Sequence, residues 1–229
     1  MKIIKESKRL DKEKILIFIS FWSSYVPNGK SFAFIKNKVP LECGYICYYL
    51  PKEVLVPNVD LTKKRFNLFI SKVLKDLMLL KKIKNRRFRI YGQSLGGLFA
   101  MIISDKIDID KAFLICPGDN LAESFWNGIV TRKLRVAMQK HGVSLEKLKK
   151  QWKKISPDFY FKDKSKKTNF YIILSKNDKV IPYKNGRGLI NLLKKKRIKF
   201  EVNKSGLSHE LSLFNHGVLS KESLKFLVE

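Results

Sequence analysis

Short apolar runs alternate with stretches of helical periodicity along most of this sequence. Most of the apolar runs lack a strict alternation of apolar and polar residues, which is typical of strands buried on both faces. Such strands, separated by helices, predict an α/β fold with a mostly parallel sheet of about six strands flanked by helices. The predicted strands are residues 14–20, 44–50, 87–92, 111–116, 169–175 and 198–203.

Apolar positions three and four residues apart predict the helices between these strands. The longest covers residues 61–84, and two more cover residues 95–104 and 185–194. A further helix is expected after residue 209. The apolar positions of the long helix are Phe66, Phe69, Ile70, Val73, Leu77 and Leu80.

One connection is much longer than the others. Roughly fifty residues separate the fourth and fifth predicted strands, far more than a normal crossover needs. A helix over about 121–140 should end at Gly142, which accepts the left-handed cap conformation, and a second should begin after Ser144 and end before Pro157. We predict an α/β core, residues 1–116 and 169–229, with a helical lid, residues 117–168, inserted in it. The alternative is a surface elaboration with no role in chemistry.

The chain is strongly basic. Its 229 residues, enough for one ordinary domain, include 48 Lys and Arg against 20 Asp and Glu, a formal net charge of +28. Such a charge attracts anionic partners, for example an anionic lipid surface or an acyl carrier protein. A general compositional bias is the simpler explanation of the scattered lysines, and no motif supports nucleic acid as a partner. The basic runs are residues 81–87, 147–154, 162–167 and 194–197.

Cysteine content and hydropathy bear on the cellular setting. Three cysteines, Cys43, Cys47 and Cys116, are too few for a disulfide framework or a four-ligand zinc site, so we expect a reduced, cytoplasmic setting. No apolar run approaches 18 residues, which predicts no transmembrane segment. The sequence contains no His, Cys and carboxylate cluster with metal-ligand spacing and no glycine-rich phosphate loop, so no cofactor is expected.

The most specific motif is Gly-Gln-Ser-Leu-Gly-Gly at residues 92–97, directly after a predicted strand and at the start of a predicted helix. A serine in such a strand-to-helix turn is exposed as a nucleophile, and the small residues on either side avoid clashes with neighbouring backbone. We therefore predict Ser94 as a nucleophile. Because a serine hydroxyl is a weak nucleophile, it needs an adjacent base, which itself needs an orienting acid.

The sequence offers three histidines for the base. His209 follows the last predicted strand in a short Gly-Leu-Ser-His loop, near the edge of the sheet where such sites lie. His141 lies at the end of a lid helix and His216 inside the terminal helix, which favours His209. For the acid, Asp178 in the loop after the fifth strand is preferred, and Asp119 after the fourth strand is the competitor.

These three motifs, in this order along the chain, resemble the nucleophile elbow, acid loop and histidine loop of the α/β-hydrolase fold. The resemblance covers most of the chain and implies a Ser94–His209–Asp178 triad. It also implies an oxyanion hole formed by the backbone N–H of Leu95 and that of Trp22, with Phe21 as the alternative donor. The strand at 14–20 would correspond to the one whose following loop supplies half of this hole.

Two departures from the family pattern stand out. Many relatives carry His-Gly in the loop after the first strand, where this chain has Ser20, Phe21 and Trp22. Only about thirteen residues precede the strand at 14–20, so a smaller sheet than usual is expected.

The resemblance implies a serine hydrolase of the esterase, lipase or thioesterase type. Its substrate would be a small-molecule carboxylic ester or thioester, cleaved through an acyl-enzyme intermediate. Two alternatives remain: an acyltransferase with the same triad, and a non-catalytic basic protein that binds a membrane surface or nucleic acid.

Overall fold

The computed structural model describes residues 1, 3–22, 36–83, 86–161, 168–219 and 221–229. Within these residues, seven strands form one sheet in the order β1-β3-β2-β4-β5-β6-β7. β1 is antiparallel to β3, and the other neighbours are parallel. This arrangement confirms the predicted fold class. The strands are β1 (Ile4–Lys8), β2 (Lys14–Ile19), β3 (Cys43–Tyr49), β4 (Arg87–Gln93), β5 (Lys111–Ile115), β6 (Asn169–Ser175) and β7 (Phe200–Ser205).

Eight α-helices lie in the described part of the chain. None of them combines the length and apolar character needed to cross a membrane. Short 3₁₀ helices occur at Lys52–Val54, Lys153–Ile155 and Pro157–Phe159, and a π-helix at Leu213–Leu219. The α-helices are α1 (Val59–Lys81), α2 (Leu95–Lys106), α3 (Leu121–Asn127), α4 (Arg132–Lys140), α5 (Leu145–Trp152), α6 (Tyr183–Lys195), α7 (His209–Ser212) and α8 (Lys221–Val228).

The sheet is buried on both faces. In β2, Ile15 and Ile17 belong to a large core with α1, α2, α6 and the helices of residues 117–168, whereas Leu16 and Phe18 belong to a smaller core with α8. All four residues are fully buried. Burial on both faces explains why β2 reads as a continuous apolar run.

Three cations from three strands hold the end of α8. Arg89, a buried residue of β4, donates to the carbonyl of Leu227. Lys14 of β2 donates to Val228 O at 3.0 Å, and Lys111 of β5 donates to Phe226 O at 3.0 Å. The last carbonyls of a helix have no hydrogen-bond partner within the helix, and they form the negative end of its dipole. The three cations supply the missing hydrogen bonds and place positive charge at that negative end.

The structure differs from the predicted elements at several places, of which three stand out. β1 is a seventh strand, and β7 starts two residues later than predicted. The single helix predicted over 121–140 is two helices, α3 and α4, separated at Gly128. A Cβ at Gly128 would lie 2.4 Å from Val180 O, so close backbone contact at this point requires glycine.

The described part of residues 117–168, the segment predicted to be inserted as a lid, packs closely on the core. Phe125 and Trp152 are 2% and 0% exposed, with their rings edge to face at 5.2 Å. The Trp152 indole donates to Val59 O of α1 at 3.1 Å. These two side chains therefore belong to the packed core. The role of residues 117–168 as a lid stays a prediction, and the basic run 162–167 lies outside the described residues.

Candidate active site

Ser94 lies in the sharp turn between β4 and α2. Its φ is +53°, a left-handed value that is unusual for a residue other than glycine. Its N–H donates to Ile115 O of β5 at 2.8 Å, and its carbonyl accepts from Gly97 N at 2.9 Å. The hydrogen bonds on both sides hold this strained residue at the carboxyl end of the parallel strands.

Two glycines allow the turn to close. A Cβ at Gly92 would lie 2.5 Å from Gly96 O, and a Cβ at Gly96 would lie 2.4 Å from both Ile19 O and Ser20 O. Such distances are too short for any side chain. Gly96 therefore brings the first turn of α2 directly against the end of β2, where the predicted oxyanion loop begins.

The structure brings Ser94, His209 and Asp178 together. His209 Nε2 lies 3.0 Å from Ser94 Oγ, and His209 Nδ1 lies 2.6 Å from Asp178 Oδ2. The three residues are 7%, 4% and 8% exposed. With the Nδ1 proton directed at the carboxylate, Nε2 is free to accept the serine proton.

Backbone groups fix the carboxylate of Asp178. Its second oxygen, Oδ1, accepts from Val180 N at 2.8 Å and from Ile181 N at 2.7 Å. These bonds are the side-chain-to-backbone pattern of an Asx turn. Oδ2 is thereby left directed at His209.

The acid loop and the histidine loop are joined to each other. Lys176 N donates to Ser205 O at 2.8 Å, and the Asn177 side-chain amide donates to Gly206 O at 2.6 Å. Ser208 caps α7 by accepting from Leu211 N at 3.3 Å. His209 thus begins a capped helix, and the loop that precedes it is held against the end of β6 by the first two of these hydrogen bonds.

The competing residues lie elsewhere. The Asp119 carboxylate packs on Gly188 of α6, where a Cβ would lie 1.9 Å from its Oδ2. Its Oδ1 has no hydrogen-bond partner among the described residues. His141 is exposed at the end of α4, and His216 Nδ1 lies 3.7 Å from Glu222. Within the described part of the chain, His209 makes its side-chain hydrogen bonds to Asp178 and Ser94 and not to these three residues.

Asp119 is nevertheless an unusual carboxyl group. Burial, followed by the charges of Asp158 and Glu123, raises its pKa to about 6. The pKa of Asp158 is raised as well, again mainly by burial.

The two predicted oxyanion donors lie on the segments that meet at Gly96. Leu95 is the first residue of α2, where a backbone N–H has no intrahelical acceptor. Trp22 is half-buried, and its indole donates to Lys52 O at 2.8 Å. Just before it, the Ser20 hydroxyl accepts from Leu50 N at 2.8 Å. The role of Leu95 and Trp22 as oxyanion donors stays a prediction.

Comparison with known families identifies the chain. A profile described as Uncharacterised protein family (UPF0227) matches residues 53–216, which is well over half of the sequence. The chain belongs to UPF0227. The matched region includes Ser94, Asp178 and His209 and excludes Trp22. A search of curated protein sequences finds no relative of this UPF0227 protein.

Solved structures show that this UPF0227 protein has the α/β-hydrolase fold. A mutant of the capsule O-acetyltransferase of Neisseria meningitidis serogroup A, in complex with CoA, matches with a TM-score of 0.66 and 16% identity over 99% of this chain and 91% of that one. Esterase B from Lactobacillus rhamnosis matches with a TM-score of 0.63 and 13% identity, over 95% and 74%.

A puromycin-hydrolyzing peptidase of Mycobacterium tuberculosis matches with a TM-score of 0.65 and 15% identity. The match covers 94% of this chain and 34% of the peptidase. The UPF0227 chain spans about a third of the length of this peptidase and of the acylaminoacyl peptidases that it also matches.

Next to the candidate site of this UPF0227 protein lies one residue for which the sequence predicts no chemical role. Cys116 follows β5, is 2% exposed, and has a left-handed φ of +49°. Burial, and then the charge of Asp178, raises the pKa of its thiol. In the sequence, the feature that points to Cys116 is its position just after a predicted strand. Ser94 and Asp178 also follow predicted strands.

Proposed function

We propose that this protein is a serine hydrolase that cleaves a carboxylic ester or thioester through an acyl-enzyme intermediate. The observation that carries the proposal is the pair of contacts made by His209, 3.0 Å to Ser94 Oγ and 2.6 Å to Asp178 Oδ2. A nucleophile within reach of a base, with that base oriented by a buried acid, is the arrangement that acyl transfer requires.

In the first half of the reaction, Ser94 Oγ adds to the carbonyl carbon while His209 Nε2 takes the hydroxyl proton. Asp178 stabilises the imidazolium that forms and keeps the ring in its orientation. As the tetrahedral intermediate collapses, the bond to the alkoxide or thiolate breaks, and His209 returns the proton to that leaving group. The acyl group remains on Ser94.

In the second half, water adds to the acyl-enzyme and gives its proton to His209. The bond to Ser94 Oγ breaks, Oγ regains the proton, and the carboxylic acid leaves. In both halves the negative oxygen is held by the backbone N–H groups of Leu95 and of Trp22 or Phe21. Loss of one such donor typically costs about 10²–10³ in rate.

Covalent labelling tests this function directly. A fluorophosphonate probe should label the wild-type protein and not the Ser94→Ala variant, because the probe forms a bond to an activated serine oxygen. Ser104→Ala is the matched control, since Ser104 is a buried serine whose hydroxyl donates to Ala100 O and lies outside the site. Hydrolysis of p-nitrophenyl esters from two to sixteen carbons should stop in Ser94→Ala alone. A folded wild type that takes no label would overturn the proposal and favour a non-catalytic basic binding protein.

A second candidate is acyl transfer to an alcohol or amine. The match to an O-acetyltransferase solved with CoA, over nine-tenths of both chains, favours it. The acyl-enzyme would be the same, and only the group that attacks it would differ. Product analysis after incubation with an acyl thioester, with and without an added alcohol, separates an acylated alcohol from free acid.

The basic charge suggests an acidic substrate or partner, such as an anionic lipid surface or an acyl carrier protein. In that case the rate on an anionic substrate should fall with ionic strength, while the rate on a neutral ester should not. Equal salt dependence for both substrates would mean that the charge has no part in substrate capture.

A further inference from the structure

Three buried side chains at the candidate active site supply a set of metal-ligand atoms. The Cys116 sulfur, a carboxylate oxygen of Asp178 and a ring nitrogen of His209 all lie within 4.8 Å of one another. Each residue is at least nine-tenths buried. Thiolate, imidazole and carboxylate are the ligands that Zn²⁺ binds in proteins, and the sulfur favours thiophilic ions over Mg²⁺ or Ca²⁺.

A fourth side chain faces the same thiol. Ser212, at the end of α7, is fully buried, and its Oγ makes no hydrogen bond of ordinary geometry with any described residue. It lies against the Cys116 thiol, whose pKa is raised overall by burial and then by the charge of Asp178. A buried hydroxyl beside the Cys116 thiol is available as a further ligand atom.

We propose that Cys116, Asp178 and His209 form a site for one thiophilic divalent cation, Zn²⁺ or Cd²⁺, and that the bound cation switches off the base His209. We call these three residues the thiol site. Metal binding stands on the geometry alone. The inhibition rests on the proposed serine hydrolase function.

The proton balance explains the inhibition. The cation displaces the thiol proton, which leaves to solvent, and forms a bond to the thiolate. It also takes the lone pair of His209 Nδ1, so the proton carried there moves to Nε2. With a proton on Nε2, His209 cannot accept the proton of Ser94 Oγ.

Charge balance favours a cation at this position. A buried divalent ion loses its water and needs opposite charge close by. The thiolate and the Asp178 carboxylate supply two negative charges, so the occupied site is neutral. Ser212 Oγ or a water molecule would complete tetrahedral coordination.

Binding requires a small movement of His209. Ligand atoms around tetrahedral Zn²⁺ are roughly 3.3–3.6 Å apart, given bonds of about 2.0–2.3 Å. The 2.6 Å between His209 Nδ1 and Asp178 Oδ2 must therefore lengthen. Two backbone N–H groups hold Asp178 Oδ1, so His209, at the start of the four-residue α7, is the group that shifts. We expect binding to be slow and to need preincubation.

Cadmium is the probe for the metal site, because a thiolate bound to Cd²⁺ gives an ultraviolet charge-transfer band that other ligands do not give. The wild-type protein should show this band and bind one Cd²⁺ per chain, and Cys116→Ala should lose the band. Cys47→Ala is the matched control, since Cys47 is an equally buried free thiol on β3. It should keep the band. A band of full size in Cys116→Ala, or none in the wild type after long incubation, overturns the proposal.

His209→Gln gives a second test if Cys116→Ala does not fold. It removes the nitrogen ligand and keeps the thiol, and the dissociation constant for Cd²⁺ should rise at least about tenfold. Unchanged affinity for Cd²⁺ in His209→Gln would mean that His209 is not a ligand and would overturn the proposed thiol site.

Activity separates this proposal from the proposed function. In an active enzyme, preincubation with Zn²⁺ should abolish ester hydrolysis in the wild type and in Cys47→Ala, a chelator should restore it, and Cys116→Ala should resist the ion. An active wild type that Zn²⁺ does not inhibit would overturn the inhibition. A protein that binds Cd²⁺ with a thiolate band but hydrolyses no ester would overturn the hydrolase function and leave the metal site standing.

Discussion

Ser94 and Cys116 end two neighbouring strands in the same left-handed conformation, with φ of +53° and +49°. Each is also held by the next strand of the sheet, Ser94 N by Ile115 O and Cys116 N by Ile173 O, both at 2.8 Å. The strain at two adjacent strand ends is thus offset by hydrogen bonds of the sheet itself. Both side chains lie close to His209: Ser94 Oγ is 3.0 Å from its Nε2, and the Cys116 sulfur is within 4.8 Å of a ring nitrogen and of an Asp178 carboxylate oxygen.

The backbone strain at Ser94 should be measurable as stability. Ser94→Gly should be more stable than Ser94→Ala by about 1 kcal/mol, because glycine adopts this conformation without strain. Ser104 is the control, since it lies within α2, where glycine should be less stable than alanine by about 1 kcal/mol. Urea unfolding measures the free energy of unfolding of both pairs of variants. If the glycine variant is less stable than the alanine variant at both positions, there is no strain at Ser94.

Asp178 and Asp119 can be told apart by substitution with asparagine. Asp178→Asn should lower kcat by roughly 10⁴, as the same change does in the serine-protease template, because an amide no longer selects the productive His209 tautomer. Asp119→Asn should stay within a few-fold of wild type, since Asp119 packs on Gly188. Steady-state ester hydrolysis measures kcat for both variants. If Asp119→Asn lowers kcat far more than Asp178→Asn does, then Asp119 is the acid.

The contact between Gly96 and the end of β2 should control activity. In Gly96→Ala the new methyl would meet Ile19 O and Ser20 O, forcing apart the turn at Ser94 and the predicted oxyanion loop after β2. We expect a loss of about 10² or more in kcat with a smaller change in KM, as for loss of an oxyanion donor. Gly206→Ala is the control, since a Cβ there has open space. Equal activity in both variants would show that this contact does not shape the site.

The buried guanidinium of Arg89 should contribute to the free energy of unfolding. Arg89→Met leaves the Leu227 carbonyl without its charged donor and should cost about 1–3 kcal/mol. Arg87→Met, on the same strand, removes an exposed ion pair with Asp110 and should cost less than about 1 kcal/mol. Urea unfolding measures both variants. If Arg89→Met is no less stable than Arg87→Met, the cost of burying the Arg89 guanidinium cancels the stabilisation from its hydrogen bond to α8.

Asp119 should make stability depend on pH. Its pKa is about 6 in the folded protein against an ordinary 3.8, so the folded state holds this proton more tightly than the unfolded state. The native state therefore loses stability as pH rises between these values, by an amount on the order of 1–3 kcal/mol. Asp119→Asn should remove this loss and be more stable than wild type at pH 7.5 but not at pH 3.5.

The control for this pH effect is Asp11→Asn, because the Asp11 side chain is 73% exposed. Its unfolding free energy should track the wild type at every pH. A difference between Asp119→Asn and wild type that stays constant from pH 3.5 to 7.5 would contradict the prediction.

The central strands and the three triad candidates could be predicted because their signals are local. A strand buried on both faces is mostly apolar, as the central residues of β2, β5 and β6 are. β4 is also buried, although it carries Arg89 and Gln93. The loops that follow β4, β6 and β7 carry Ser94, Asp178 and His209, and a parallel sheet brings strand ends to one edge. Chain order and topology together therefore placed the three residues near one another.

Other features depend on contacts that the sequence does not display. β1 has intermediate or exposed residues throughout, so no apolar pattern marks it. The break between α3 and α4 follows from the close approach of Gly128 to Val180 O, which lies far along the chain. Cys116 reads as an ordinary buried thiol until its φ and its distance to His209 are known.

The two outermost strands of the described sheet carry charge where another strand would add. β1 exposes Lys5 and Lys8, and β7 exposes Glu201 and Lys204. A second copy pairing its β1 alongside this one would bring lysines of two molecules together, each with a net charge of +28. Edge strands built in this way resist sheet-to-sheet association. The protein should therefore resist aggregation through its sheet edges at high concentration, and least so in strong salt, where the repulsion is screened.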